Sequence, residues 1–352
     1  MGKPKILIVG PSWVGDMLMS QSLYRQLKAQ SPNCEIDVLA PDWCRAIIER
    51  MPEVNNTIEM PVGHGSLQLG VRRRLGEFLA EQQYDQAIVL PNSLKSALIP
   101  WFAGIDLRTG WLGEMRYFLL NDPRKLIKSA FPRMVERYVA LAGPGVASAK
   151  ELPEILPPKL TIDTDLQQQA IKQFNLPSSK LIGFCPGAEF GPAKRWPDYH
   201  YAALASKLIE QGYQIACFGS AKDAEVVEQI KDQLPDEQQQ ALIGLAGETT
   251  LPQAVDLLAA CDAVVTNDSG LMHVAAAVGS PLVALYGPTS PDFTPPLTDK
   301  AEVIRLIDGY LKIRKGDNDQ GYHQSMIDIT PERVMEAVQK QLAARETEQG
   351  VA

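Results

Sequence analysis

The chain has 352 residues, of which 34 are basic and 42 acidic, which gives a formal net charge of −8. With 45% hydrophobic and 22% charged residues, its composition is that of a folded globular protein and excludes the disordered, collagenous and coiled-coil classes. At roughly 150 residues per domain the length predicts two domains, and no apolar run approaches the ~20 residues that cross a bilayer.

The first half alternates short apolar runs with helical patterns. Strands are predicted at 5–10, 35–40 and 86–90, and helices at 16–30, 42–51 and 75–82. This alternation is typical of a parallel sheet with crossover helices. Residues 143–177 are rich in proline and contain a run of three glutamines, so we place the interdomain connection there.

The alternation resumes in the second half and predicts a second domain of the same kind. Strands are expected at 181–185, 214–218, 241–245, 263–266 and 282–286, with helices at 198–211, 222–234, 251–261 and 270–278. A last helix, at about 331–346, begins at Pro331 with Thr330 as its N-cap. The predicted domains are therefore 1–160 and 178–330, followed by a C-terminal segment, 331–352.

Cysteine usage and charge distribution indicate where the protein works. The five cysteines are widely spaced and include no C-x-x-C pair, so we expect a reducing compartment and a cytoplasmic protein. Residues 1–160 carry 19 basic and 16 acidic side chains (net +3), whereas residues 161–352 carry 15 and 26 (net −11). This asymmetry suits an anionic or membrane-surface partner for the basic half, and a solvated basic face is the alternative. The acidic overall balance argues against nucleic acid.

A turn between the first strand and the first helix carries an isolated carboxylate. Residues 10–17 read Gly-Pro-Ser-Trp-Val-Gly-Asp-Met, which has the glycine spacing of a phosphate loop but places Asp16 where that loop needs lysine. The turn also lacks G-x-G-x-x-G, which argues against a dinucleotide site. Asp16 is either a functional carboxylate at the ligand-binding edge of the sheet or a first-turn acid that stabilises the helix dipole.

A long loop opens the second domain. Residues 185–197 contain two glycines and three prolines between a predicted strand and a predicted helix. Lys194 and Arg195 near the end of this loop suit a phosphate, because a cation there would stabilise a leaving anion. The alternative is a solvated loop.

A second turn in this domain points to the same chemistry. Residues 266–273 read Thr-Asn-Asp-Ser-Gly-Leu-Met-His and join a buried strand to a helix of small residues. Ser269 and Gly270 would leave free backbone N–H groups at the helix start, which form a ready site for a diphosphate. Asp268 and His273 lie near that end; the alternative is an N-capping aspartate and a packed histidine.

Metal ligation is not indicated. Two D-x-D triplets, at 163–165 and 317–319, are compatible with a metal-bound sugar nucleotide, but the chain has 21 aspartates and about one such triplet arises by chance. Neither follows an apolar strand, so we interpret both as loop residues. The four histidines show no zinc spacing, and we predict no metal site.

Motifs in both halves match one enzyme family. Gly15-Asp16, Pro186-Gly187-Ala188 with residues 194–197, and the string at 267–273 occur in this order along the chain. Together with the strings at 10–17 and 286–291, they resemble the lipopolysaccharide heptosyltransferases of glycosyltransferase family 9 over essentially the whole chain. The resemblance implies a GT-B fold, in which two doubly wound, Rossmann-like α/β domains face a cleft and a C-terminal helix returns to the N-terminal domain.

The resemblance also implies a reaction. A family member of this kind is an inverting transferase that moves L-glycero-D-manno-heptose from ADP-heptose, held by the C-terminal domain, onto the first heptose of the lipopolysaccharide inner core (Hep-Kdo2-lipid A), held by the N-terminal domain. It uses no cofactor and no built-in metal, and we predict neither a nucleic-acid nor a protein partner. Its glycolipid acceptor implies a cytoplasmic protein that is peripheral on the inner membrane. Transfer to Kdo2-lipid A, a nucleotide-sugar epimerase or hydrolase of the same fold, and a non-catalytic ADP-sugar-binding protein are the alternatives.

The family pattern assigns roles to individual residues. Asp16 would be the general base on the acceptor hydroxyl, and Lys194 the cation on the donor diphosphate. The donor-binding residues implied with Lys194 are Asp268, Ser269, Gly270 and His273, with Thr249, Asp223 and Glu225 near the adenosine. The basic first half would bind the phosphorylated acceptor through Arg72, Arg73, Arg74, Lys95 and Arg116.

Overall fold

The computed structural model describes residues 3–63, 65–189, 191–309, 313, 316–317 and 319–350, with side chains as far as Thr347. The chain forms two compact units, Met1–Leu160 and Thr161–Ala352. Each unit is built on its own six-stranded sheet, and the predicted class, two Rossmann-like α/β domains, is confirmed. Among the described residues, no helix is both long enough and apolar enough to cross a membrane.

The first unit holds a parallel sheet in the order β3-β2-β1-β4-β5-β6. Its strands are β1 (Lys5–Val9), β2 (Glu35–Ala40), β3 (Asn56–Glu59), β4 (Gln86–Val89), β5 (Leu107–Trp111) and β6 (Asp122–Arg124). Its helices are α1 (Val14–Gln30), α2 (Arg45–Ile48), α3 (Leu69–Ala80), α4 (Leu98–Phe102) and α5 (Met134–Val139). The chain builds outward from β1 to β3 and then returns to build β4 to β6 on the other side. The resulting switch point between β1 and β4 is where doubly wound sheets bind ligands, beyond the carboxyl ends of the strands.

The second unit repeats this topology in the order β12-β11-β10-β7-β8-β9. Its strands are β7 (Leu181–Cys185), β8 (Gln214–Cys217), β9 (Leu242–Gly244), β10 (Ala263–Asn267), β11 (Leu282–Tyr286) and β12 (Ala301–Arg305). Its helices are α6 (Thr164–Gln173), α7 (Asp198–Glu210), α8 (Ala224–Asp232), α9 (Leu251–Ala260), α10 (Gly270–Ala277), α11 (Gln324–Ile327) and α12 (Pro331–Gly350). β7, β10 and β11 are buried along their whole length because helices cover both faces of the sheet. The switch point lies between β7 and β10.

The C-terminal helix α12 packs on the second unit. Val334 and Val338 are fully buried in the core of that unit, and the neighbours of α12 include α7, β10, β11 and β12. Near its end, Arg345 pairs with Asp262 at 3.1 Å. α12 therefore belongs to the second unit, and the expectation that residues 331–352 return to the N-terminal domain stays a prediction.

The sequence patterns missed several elements. The strands β3, β5, β6 and β12 were not predicted, and all four are short or contain polar and exposed positions. The expected connection at 143–177 contains α6, which packs on α9 and belongs to the second unit. Asp163, from the first D-x-D triplet, is the N-cap of α6 and accepts from the N–H groups of Asp165 and Leu166.

Candidate active site

The turn that carries Asp16 leaves β1 at the switch point of the first sheet. Gly10 directly follows the strand, and a Cβ there would lie 2.8 Å from Cε of Met17 and 3.3 Å from Cγ1 of Val38, so α1 starts close to the sheet. The indole of Trp43 donates to the carbonyl of Ser12 at 2.7 Å and holds the turn from outside. Asp16 therefore lies in the first turn of α1, at the edge where the topology places a ligand.

The Asp16 carboxylate is placed in a poorly solvated position. Burial raises its pKa to about 6, and the described residues offer it no hydrogen bond or cation that would offset this effect. Its neighbours are the Cys44 thiol and the buried Tyr138 phenol, and the carboxylate adds to the effect of burial in raising the pKa of both groups. A carboxylate with a raised pKa is a stronger base than an ordinary aspartate and is still ionised at neutral pH.

In the second unit, Asn267 joins the two loops that flank the switch point. Its side-chain amide donates to the carbonyl of Pro186 at 2.7 Å, and its Oδ1 accepts from the N–H of Trp196 at 3.0 Å. The loop at 186–197 after β7 and the turn after β10 are thus fixed against each other. Asn267 itself was not predicted as a site residue, although it lies in the quoted motif; its complete burial is a tertiary property.

This arrangement brings two predicted residues together. Nζ of Lys194 lies 2.9 Å from Oδ2 of Asp268, and both side chains are largely buried. The ion pair spans the loop after β7 and the turn after β10, so Asp268 orients the ammonium at the carboxyl edge of the sheet. A largely desolvated ammonium held in one position is suited to stabilise charge on a departing phosphate.

The helix α10 begins beside this ion pair. Ser269 is the N-cap of α10 and has an extended backbone conformation. Its side chain makes no capping hydrogen bond, so the Ser269 hydroxyl leaves the first N–H groups of the helix available. Those N–H groups and the helix dipole favour an anion here. Burial lowers the pKa of His273 to about 4, with opposing contributions from Asp268 and Lys194, so its imidazole is neutral at pH 7.

Of the residues expected near adenosine, Asp223 already has partners. Its Oδ2 accepts from the N–H and the hydroxyl of Ser220 at 2.9 and 2.8 Å, and Arg195 lies 3.6 Å from Oδ1. A Cβ at Gly187 would lie 2.5 Å from this carboxylate, so the loop after β7 depends on glycine for its close approach. Asp223 therefore ties the loops after β7 and β8 together.

The other two adenosine candidates are nearer to solvent. Glu225 is exposed in the first turn of α8, and Thr249 is half-buried with its hydroxyl donating to the carbonyl of Leu245 at 3.3 Å. Thr289, in the quoted string after β11, was assigned no role by the sequence. Its hydroxyl is buried at the same edge and has no hydrogen-bond partner among the described residues.

Two of the five predicted acceptor-binding cations are structural. Arg116 is 1% exposed and donates to the carbonyls of Pro91 and Trp111 at 2.6 Å each, and burial lowers its pKa to about 10. Arg72 is 4% exposed and donates to the carbonyls of Leu67 and Lys95 at 2.7 and 3.1 Å. Neither side chain is presented to a ligand, which corrects their assignment.

The remaining three cations stay on the surface. Arg73 and Arg74 are exposed on α3, and Arg73 pairs with Glu77 at 2.8 Å. Lys95 is half-buried in the loop after β4, with its carbonyl held by Arg72. These three can reach a phosphorylated ligand, and their role stays a prediction.

Comparison with known families identifies the family of the chain. The model of glycosyltransferase family 9 (heptosyltransferase) matches residues 72–323. The chain belongs to this family. It is accordingly a glycosyltransferase, and the residues of the second-unit site described above fall within the matched region.

Close relatives cover nearly the whole chain. It is 64% identical to lipopolysaccharide heptosyltransferase 2 of Salmonella typhimurium, over 96% of this chain and 99% of that protein. It is 62% identical to the Escherichia coli protein of the same name, over 97% of this chain and 99% of that protein. Among solved structures, E. coli ADP-heptose lps heptosyltransferase II matches with a TM-score of 0.89 at 58% identity, over 97% of this chain and 99% of that one.

Proposed function

We propose that this family 9 enzyme transfers L-glycero-D-manno-heptose from ADP-heptose onto the first heptose of the lipopolysaccharide inner core, with inversion at the anomeric carbon. The observation that carries the proposal is the 62–64% identity, over almost the full length of each chain, to two proteins named lipopolysaccharide heptosyltransferase 2. A Pseudomonas aeruginosa protein named lipopolysaccharide heptosyltransferase 1 is 25% identical over 305 residues, which favours the second transfer over the first.

The two units supply complementary chemistry for an inverting displacement. The Asp16 carboxylate takes the proton from the acceptor hydroxyl, and the oxygen attacks the anomeric carbon of the donor. The bond from that carbon to the diphosphate oxygen breaks, and ADP leaves with the electron pair. Lys194 and the first N–H groups of α10 stabilise the negative charge on the leaving diphosphate, and the neutral His273 adds a hydrogen bond without adding charge.

Substrate recognition follows the same division. Asp268 and the Ser269-Gly270 turn hold the donor diphosphate through Lys194 and the helix start. Glu225 and Thr249 are the adenosine contacts we favour, because the carboxylate of Asp223 is already bonded within the loops. On the acceptor side, the exposed cations Arg73, Arg74 and Lys95 would bind the phosphorylated core, which would place the enzyme on the cytoplasmic face of the inner membrane.

The test is ADP release from ADP-L-glycero-β-D-manno-heptose in three parallel reactions. One contains no acceptor, one a core that ends in Kdo, and one a core that ends in one heptose. Fast release only with the heptose-ended core is the expected result, and Asp16→Asn should slow it by ~10²–10⁴-fold. Release with the Kdo-ended core would reassign the enzyme to the first transfer, release without acceptor would indicate a hydrolase, and no release with any acceptor would contradict the proposal.

A further inference from the structure

Six large apolar side chains lie exposed at the carboxyl edge of the first sheet, on its loops and at the first residue of α3. They are Leu67, Leu69, Leu94, Met115, Tyr117 and Phe118, and we call them the apolar platform. Phe118 is 92% exposed and Met115 81%, values that neither side chain would have in a packed core. Exposed apolar patches of this kind usually mark an interaction surface.

Two buried arginines tie the loops of the platform together. Arg72 donates to the carbonyls of Leu67 and Lys95, which joins the loop before α3 to the loop after β4. Arg116 lies between the exposed residues of the loop after β5 and donates to the carbonyl of Pro91. The three loops are therefore held in one rigid surface, and their apolar side chains cannot fold back onto the core without breaking these bonds.

The backbone at the tip of this surface is strained outward. Glu114 and Met115 have φ values of +46° and +53°, in the left-handed region that costs free energy for residues other than glycine. The strain is held by the carboxylate of Glu114, which accepts from the N–H of Leu94 at 2.7 Å. The fold thus maintains an unfavourable conformation whose result is an exposed methionine, which indicates a partner outside the unit.

The charge around the platform defines that partner. Lys125 and Lys128 are exposed directly after β6, whose end is bonded to the loop after β5 through the N–H of Leu112 and the carbonyl of Arg124. Glu114 is the one acid in the four segments that form the platform and its border, and its carboxylate is engaged by the backbone. The segments are 66–74, 91–96, 113–118 and 125–128. The surface is therefore apolar at its centre and cationic at its border.

We propose that the apolar platform docks on the surface of a lipid bilayer that contains anionic headgroups. Aromatic and aliphatic side chains would enter the interfacial layer while Lys125 and Lys128 meet the headgroups, and two such contributions together give stable peripheral binding. The inference rests on the proposed function for its choice of partner, because the acceptor there is a glycolipid. A second copy of this chain is a less suitable partner, because a symmetric pairing would bring two cationic borders together and they would repel each other.

The test is sedimentation of the full chain with vesicles of phosphatidylcholine alone and of phosphatidylcholine with phosphatidylglycerol. The double variant Met115→Ser with Phe118→Ser should partition at least about tenfold less than the unmodified chain, since two exposed apolar groups are removed without loss of core packing. The double variant Lys125→Glu with Lys128→Glu should lose the preference for anionic vesicles. Leu107→Ser, at the opposite edge of the sheet at the start of β5, is the matched control and should bind as the unmodified chain does.

Equal vesicle binding by the unmodified chain and the Met115/Phe118 variant would overturn the inference, as would no binding of the unmodified chain to either vesicle. Self-association that this variant abolishes, seen by light scattering without vesicles, would overturn it in favour of a second copy. Measuring heptose transfer to a heptose-ended core without acyl chains tests the proposed function separately, because this acceptor is not in a membrane. Both double variants should keep that activity, whereas its absence from the unmodified chain would count against the proposed function and leave the vesicle result standing.

Discussion

Replacing Asp16 by asparagine should make the protein more stable while it removes the proposed general base. The carboxylate has its pKa raised from 3.8 to about 6 by burial. At 1.36 kcal/mol per pKa unit, its ionisation in the folded state costs about 3 kcal/mol of stability. Asparagine has nearly the same shape and no charge to desolvate, so Asp16→Asn should recover most of this amount.

The pH dependence gives the sign of the effect. Because the folded state holds the Asp16 proton more tightly than the unfolded state, stability falls as the pH rises from about 3.8 to about 6 and is constant above that range. The stabilisation by Asp16→Asn should therefore be about 3 kcal/mol at pH 8, about half of that at pH 5, and negligible below the unfolded pKa. At pH 8 the same variant should lose ~10²–10⁴-fold in kcat, the usual contribution of a general base.

The assays are urea unfolding of both proteins at pH 8 and pH 5, and ADP release at saturating donor and acceptor. Asp106→Asn is the matched control, since Asp106 is an exposed aspartate of the same unit and should change stability by less than about 0.5 kcal/mol at either pH. Equal stability of Asp16→Asn and the unmodified chain at pH 8 would refute the argument from desolvation. Near-normal kcat with weakened donor binding would instead place Asp16 on the donor side.

Further expectations concern the other elements of the site. The rate should rise tenfold per pH unit below about pH 6 and then level off, since the general base titrates there; a flat profile from pH 5 to 8 would exclude that base. Lys194→Ala should lower kcat by ~10²–10³ and weaken ADP binding in calorimetry, and unchanged ADP affinity would remove it from the diphosphate. Arg116→Met should lower the free energy of unfolding by about 3 kcal/mol, because it leaves buried carbonyls unpaired. Lys95→Glu should instead raise the acceptor KM and lower its salt dependence without changing stability. The reverse pattern would restore Arg116 as a ligand contact. Gly187→Ala should push its Cβ into Asp223, destabilise the fold and weaken donor binding. Unchanged unfolding curves together with an unchanged donor KM would contradict this expectation.

Strands with uniform burial could be predicted from the sequence, and strands stabilised by polar contacts could not. β1 is aliphatic from Ile6 to Val9 and β7 reads Leu-Ile-Gly-Phe-Cys, and both runs are buried because helices cover them on both sides. β5 has no such run. Its Thr109 is fully buried, and the Thr109 hydroxyl is satisfied there because it accepts from the side chain of Gln86 and donates to Asp122, both at 2.9 Å. This polar ladder across three strands exists only after the strands have paired, so no pattern within one strand reveals it.

The candidate site divides along the same physical line. The positions of Asp16, Lys194 and Asp268 could be predicted because each lies between the end of a strand and the first turn of the next helix, and these segments lie at a predictable edge of a parallel sheet. The arginines could not be sorted in this way, because a guanidinium that binds carbonyls and one that binds phosphate give the same letter in the sequence. Arg72 and Arg73 are adjacent, yet helix geometry turns the first into the protein and the second into solvent. The buried arginines fix the loops, and we propose that the exposed cations on the same elements bind the anionic acceptor.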